Sequence, residues 1–191
     1  SNQVRIIAGQ WRGRKLEFPD SQGLRPTSDR IRETLFNWLA PALPGAECLD
    51  LFAGSGALGF EAASRGAARV VMVERDGRVF QQLRTHSARL SATAVELVNS
   101  NANDYLAGTT GEAFDIVFLD PPFGEAGLLQ SVIHCLNQRQ WIKPGGYIYL
   151  ETEKDDDPPE LPENWRSYRH KQAGRVVYQL LSYAANSIQE N

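Results

Sequence analysis

The chain has 191 residues, 42% of them hydrophobic and 23% charged, and a formal net charge of −3. That is the length of one domain, enough to bury a core without disulfides or structural metals, and too apolar for wholesale disorder. The aliphatic runs at 70–73 and 116–119 are far too short to cross a bilayer, and the first dozen residues hold no apolar leader core, so a cytoplasmic protein without membrane contact is expected.

Residues 4–8 and 14–18 read as two short strands around a turn bounded by Gly9 and Gly13. Ser28 is suited to cap a helix whose apolar face, Ile31, Leu35, Phe36 and Leu39, recurs at helical spacing until Pro41. Strands and helices then alternate: strand 48–52, helix 58–65, strand 69–74, helix 79–90, strands 95–98 and 114–119, helix 127–137 and strand 147–151 after Pro144-Gly145-Gly146. The strands are nearly continuous apolar runs, as in a parallel sheet covered on both faces. Two β segments, 165–172 and 176–184, follow without a helix between them and read as an antiparallel hairpin. The expected fold is α/β and Rossmann-like: a mostly parallel seven-stranded sheet with a C-terminal antiparallel hairpin, preceded by a small N-terminal β-hairpin and helix. The expected division is a basic extension at 1–44 and a main domain at 45–186.

Cys48 and Cys135 are too few for a disulfide framework and read as buried thiols. His86, His134 and His170 are scattered, so no metal site is expected. Residues 1–32 carry seven Lys/Arg against three acids, a balance of +4, which leaves −7 for the remainder. Such an arm fits either a polyanionic partner touched at one end or a solvated hairpin, and charge alone does not choose.

The first strand of the alternating region runs into Asp50-Leu-Phe52-Ala-Gly54-Ser55-Gly56-Ala-Leu-Gly59 and then a helix. Glycines 54, 56 and 59 match G-x-G-x-x-G in the strand–turn–helix context that brings backbone close to a ligand. Glu74 ends the next strand, twenty residues after Gly54, where a carboxylate accepts from both ribose hydroxyls of an adenosine. An acid at Asp50 suits a ligand carrying ammonium and sulfonium charges, as S-adenosylmethionine does, better than the diphosphate of NAD. The strand at 114–119 exits into Asp120-Pro121-Pro122-Phe123. Two prolines hold a loop in one extended shape, which presents the Asp120 carboxylate as an acceptor, while Phe123 offers a ring for a flat base to stack on.

An Asp-Pro-Pro-Phe corner after a glycine loop resembles the signature of S-adenosylmethionine-dependent methyltransferases acting on exocyclic amines of bases. The segments 5–16 and 25–39 resemble those of the bacterial ribosomal small-subunit methyltransferase D family, and the likeness runs from about residue 4 to 184. The resemblance implies N2 methylation of a guanine in 16S ribosomal RNA; a small-subunit particle is the expected substrate, and nothing in the sequence demands more than a monomer. The resemblance also implies Asp50, Phe52, Gly54, Ser55 and Gly56 at the methionine end of the cofactor, Glu74 on the ribose and Arg75 beside the adenine. Asn101-Ala102 stands where the family has Asp-Ala contacting the adenine amine, and Thr27 is expected over the pocket. Asp120, Pro121, Pro122 and Phe123 are the expected catalytic corner, and Arg5, Trp11, Arg12, Arg14 and Lys15 the expected RNA contacts.

Adenine-N6 methylation of DNA or RNA shares this pocket logic and is the nearest alternative, followed by a non-catalytic RNA-binding domain. A dehydrogenase has no use for the Asp120 corner. A carbon-5 methyltransferase requires a cysteine nucleophile beside the pocket, and neither cysteine fits.

Overall fold

Parallel strands cannot be joined by tight turns, so each pair needs a crossover of a dozen or more residues. The chain supplies these crossovers largely as helices. The computed structural model describes residues 2–20, 27–108, 112–122, 124–125 and 127–184. In chain order these form β1 (Asn2–Arg5), β2 (Lys15–Phe18), α1 (Asp29–Leu39), β3 (Glu47–Asp50), α2 (Ala57–Ser64), β4 (Arg69–Glu74), α3 (Gly77–Leu90) and β5 (Val95–Asn99). There follow α4 (Ala102–Gly108), β6 (Phe114–Leu119), α5 (Leu128–Gln138), β7 (Ile142–Glu153), β8 (Trp165–Ala173) and β9 (Val176–Tyr183). Seven strands make one sheet in the order β5-β4-β3-β6-β7-β9-β8, and β1 pairs with β2 apart from it. Pairing is parallel from β5 to β7 and antiparallel for β9 and β8. The fold class expected from the alternation is the one observed.

Local chemistry sets the element ends. Ser28 Oγ accepts from Ile31 N to start α1, and Asp76 Oδ1 accepts from Arg78 N and Val79 N to start α3. The first strand covers residues 2–5 rather than 4–8, and two further elements differ from expectation. The α4 helix was not anticipated; Asn101 Oδ1 accepts from Asp104 N at 2.8 Å and starts it. Pro144-Gly145-Gly146 lies inside β7 rather than before it, where the register against β6 shifts between Phe114 and Ile116 and Gly145 takes a φ of 81°. An irregular pairing of this kind tolerates a proline that a regular ladder would not.

Each face of the sheet carries its own core. One holds Val4, Ile6, Leu16, Leu35, Phe36, Phe60 and Leu83, so the N-terminal hairpin, α1, α2 and α3 pack together. The other holds Leu106, Val132, Ile133 and Leu136 under α4 and α5. The segment expected as a separate extension at 1–44 thus shares its core with the main sheet. Glu61, fully buried on α2, ties it down: its carboxylate accepts from Ile7 N, Ala8 N, Arg32 and Arg65. Cys48 is buried as expected, whereas Cys135 is only half-buried because α5 lies on the outer layer.

Candidate functional site

Strand order reverses beside β3, with β4 on one side of it and β6 on the other. In open α/β sheets a ligand crevice opens at that point, outside the carboxyl ends of the strands. Asp50 closes β3 and Asp120 follows β6, and both line a cleft of about 920 Å³.

On the β3–β4 side the glycine loop bends back toward the sheet. Gly54 N donates to Glu74 Oε1 at 3.0 Å, and Asp76 N donates to Glu74 Oε2 at 2.8 Å, fixing the carboxylate at the cleft wall. Burial pushes Glu74 above the usual carboxylate range. Gly56 takes a φ of 85°, and a Cβ there would meet Phe60 at 2.5 Å. A Cβ at Gly59 would meet the Met72 sulfur at 2.6 Å, so the third glycine serves helix–sheet packing. Asp50 is 1% exposed; Oδ1 accepts from Phe52 N, and Oδ2 has no hydrogen-bond partner among the described residues. Burial, opposed by the Phe52 and Gly59 N–H groups and reinforced by the charge of Glu74, pushes Asp50 up to about 7. A buried acceptor without a donor is costly, and a cationic donor in the cleft would satisfy it.

On the β6–β7 side Thr27 Oγ1 lies 2.8 Å from Asp120 Oδ2 and 3.0 Å from Glu151 Oε2. Tyr149 donates its hydroxyl to the same Glu151 oxygen at 2.8 Å, and burial raises that phenol well above its ordinary range. Thr27 has one hydroxyl hydrogen, so it can donate to only one of the two carboxylates at a time. The two contacts therefore share that one hydrogen or take turns with it. Further round the rim, Arg75 pairs with both oxygens of Glu125.

Of the expected cofactor residues, Thr27, Asp50, Phe52, Gly54, Ser55, Glu74, Arg75, Asn101 and Ala102 line the cleft, and Gly56 stands behind it as the cap of α2. Asn101 reaches the cleft, although its amide also serves Asp104 through Nδ2. Asp120, Pro121 and Pro122 line the cleft, and Phe123 falls outside the described residues. Sequence reasoning missed Glu151, Glu125 and the acids 155–157, all of which line it. Position at the carboxyl end of the strand beside β6 was the available signal for Glu151.

The basic arm stands elsewhere. Trp11 is 7% exposed within the core, and its backbone N–H donates to Ser64 Oγ, so it is corrected from an RNA-stacking residue to a packing residue. Arg5, Arg12, Arg14 and Lys15 are exposed, and Arg14 reaches the carbonyl of Arg89 near the end of α3. Helix α3 begins at the cleft, and Arg14 meets it near the opposite end. Cations at helix carboxyl ends also complement the helix dipole.

No helix among the described residues is long and apolar enough to cross a membrane. Sheet order, switch-point cleft and C-terminal hairpin together are those of the Rossmann-like S-adenosylmethionine-dependent methyltransferases. A family model described as Conserved hypothetical protein 95 matches residues 4–182. Ribosomal RNA small subunit methyltransferase D of Escherichia coli K12 is 53% identical over 180 residues, covering 94% of this chain and 90% of that protein. Its Haemophilus influenzae counterpart is 49% identical over 181 residues, 93% of each. A solved Escherichia coli structure, described as a candidate methyltransferase yhhF, superposes with a TM-score of 0.89 at 49% identity, over 96% of this chain and 99% of that one. The chain belongs to the ribosomal RNA small subunit methyltransferase D family.

Proposed function

We propose that the protein methylates the exocyclic N2 amine of a guanine in 16S ribosomal RNA, with S-adenosylmethionine as methyl donor. The observation that carries this reading is the pairing, on one cleft, of the unsatisfied buried oxygen of Asp50 with the Thr27-held carboxylate of Asp120. The names of the relatives support ribosomal RNA as the substrate. The choice of guanine N2 over adenine N6 rests on the resemblance of segments 5–16 and 25–39 to that family.

The donor set fits the cofactor. Asp50 Oδ2 would take its ammonium, Glu74 its ribose hydroxyls, and Arg75, Asn101 and Ala102 would border its adenine. When bound it supplies a methyl group on a positively charged sulfur, an already activated leaving group. The remaining task is to make a poor nucleophile attack, because the guanine amine shares its lone pair with the ring. Asp120 accepts an N–H of that amine and turns its lone pair toward the cofactor side of the cleft. Pro121 and Pro122 fix the corner, since neither can rotate φ freely. Positive charge that develops on the nitrogen meets a preplaced carboxylate. The proton then passes to Asp120, next to a Thr27 hydroxyl and a Glu151 carboxylate that can share it. The target base must leave its stack to enter.

Incubation with radiolabelled S-adenosylmethionine and either 16S RNA, small-subunit particles or duplex DNA tests the reading. Label in the RNA or the particle is expected. Label in DNA alone contradicts it, and no transfer to any of them favours the non-catalytic alternative.

A further inference from the structure

Edge strands offer unpaired backbone groups to any passing strand, and charged side chains are a common way to blunt them. β8 is such an edge, and all its residues from Arg166 to Gln172 are exposed. Its charge has one sign. Arg166, Arg169 and Lys171 lie in a stretch, 164–175, without a single acid, in a chain of net charge −3. Blunting an edge needs charge but not one uniform sign.

Simple alternation would send Arg166 and Arg169 to opposite faces of the sheet. A one-residue bulge prevents this: Ser167 pairs with Leu181 and Arg169 with Leu180, leaving Tyr168 extra. Reading across the sheet, Arg166 stands beside Ser182 and then Tyr147, Arg169 beside Leu180 and then Tyr149, and Lys171 beside Tyr178 and then Glu151. Tyr147, Tyr149, Leu180 and Tyr178 all pack on the α1 face. The bulge therefore gathers the three cations on that face. Tyr168 joins them: it is 44% exposed, its ring centre is 5.5 Å from that of Tyr147, and the Arg169 guanidinium lies 4.5 Å from its centre. Trp38 of α1 stacks on Tyr178 at 5.4 Å, so the helix stops one strand short and leaves β8 bare. Among the described residues none of the three cations makes an ion pair.

The strip extends about 20 Å at the usual rise per residue. It ends at the cleft, because Ala173 pairs with Val176, which lines it opposite Glu153. We propose that this face of β8 is an RNA-docking surface. Arg166, Arg169 and Lys171 take successive phosphates of a single-stranded segment leading to the target base, and Tyr168 stacks one unpaired base. The inference rests on the reading of ribosomal RNA as substrate, and it assigns the cleft-side contact to β8.

The test compares wild type, the charge reversal Arg166→Glu/Arg169→Glu/Lys171→Glu, the neutral triple alanine variant and Tyr168→Ala, using a 16S RNA transcript at several salt concentrations. The alanine triple is expected to lose at least tenfold in affinity and about two units of log–log salt slope. The reversal keeps the edge charged and is expected to lose more. Tyr168→Ala is expected to weaken binding about tenfold, with recovery in Tyr168→Phe. S-adenosylmethionine affinity stays unchanged throughout. Unchanged RNA affinity and slope in both triple variants, with normal binding by wild type, overturns the strip and leaves the methyltransferase reading standing. Failure of the wild type to bind or methylate RNA overturns the functional reading and the strip with it.

Discussion

The two carboxylates at the switch point sit in opposite surroundings. Asp50 is buried beneath the glycine loop, pushed up to about 7, with one oxygen lacking a donor. Asp120 is half-buried on a proline-stiffened corner, with a hydroxyl already on one oxygen. A buried acid with an orphaned oxygen is costly alone and waits for a cation. An acid held by a neighbour is a fixed acceptor, aimed before the substrate arrives. In the proposed function one half of the cleft binds and the other orients, so equivalent substitutions in the two halves are expected to fail in different ways.

The largest expected effect is at Asp120. Asp120→Ala is expected to lower kcat by about a hundredfold or more while S-adenosylmethionine affinity stays within a few-fold. Steady-state kinetics beside titration calorimetry makes the comparison, and near-normal turnover would remove the orienting role. Asp50→Asn should do the reverse, weakening the cofactor about tenfold to a hundredfold with little change in kcat at saturation, as for a lost charge-assisted hydrogen bond.

Asp50 also makes a pH prediction. Its folded pKa of about 7 lies above the ordinary 3.8, so its stabilising contribution is full below pH 4 and is lost as pH rises through 7. The unliganded Asp50→Asn protein is therefore expected to melt higher than wild type at pH 8, with the gap closing toward pH 4. A lower melting temperature at pH 8 would mean the buried charge is not strained.

Thr27 has the smallest expected effect. Thr27→Val keeps the volume but removes the hydroxyl between Asp120 and Glu151, and is expected to cost about tenfold in kcat, with Thr27→Ser recovering most of it. Equal losses in the Ser and Val variants would make Thr27 a packing residue.

The binding half was legible in the sequence because its parts are close along the chain. Gly54 and Glu74 are one crossover apart, and their hydrogen bond joins residues 20 apart. The orienting half was legible only at Asp120-Pro121-Pro122, whose composition is distinctive. Its support joins Thr27 to residues 93 and 124 positions away, and no periodicity reports such contacts. The same holds for Trp11, whose burial depends on Ser64 of another element, and for the bulge at Tyr168, which composition does not mark. The α4 helix was missed because seven residues give too little periodicity, although Asn101 was a usable cap signal.

The central claim, a guanine N2 amine turned by Asp120 toward the methyl donor, is tested most directly by identifying the product. After reaction of the wild-type protein with small-subunit particles from cells lacking the gene, the 16S RNA is digested to nucleosides and resolved by mass spectrometry. The account predicts one new modified nucleoside, N2-methylguanosine, absent when Asp120→Ala replaces the wild type. N6-methyladenosine in its place, or N2-methylguanosine formed equally by the Asp120→Ala protein, would contradict it.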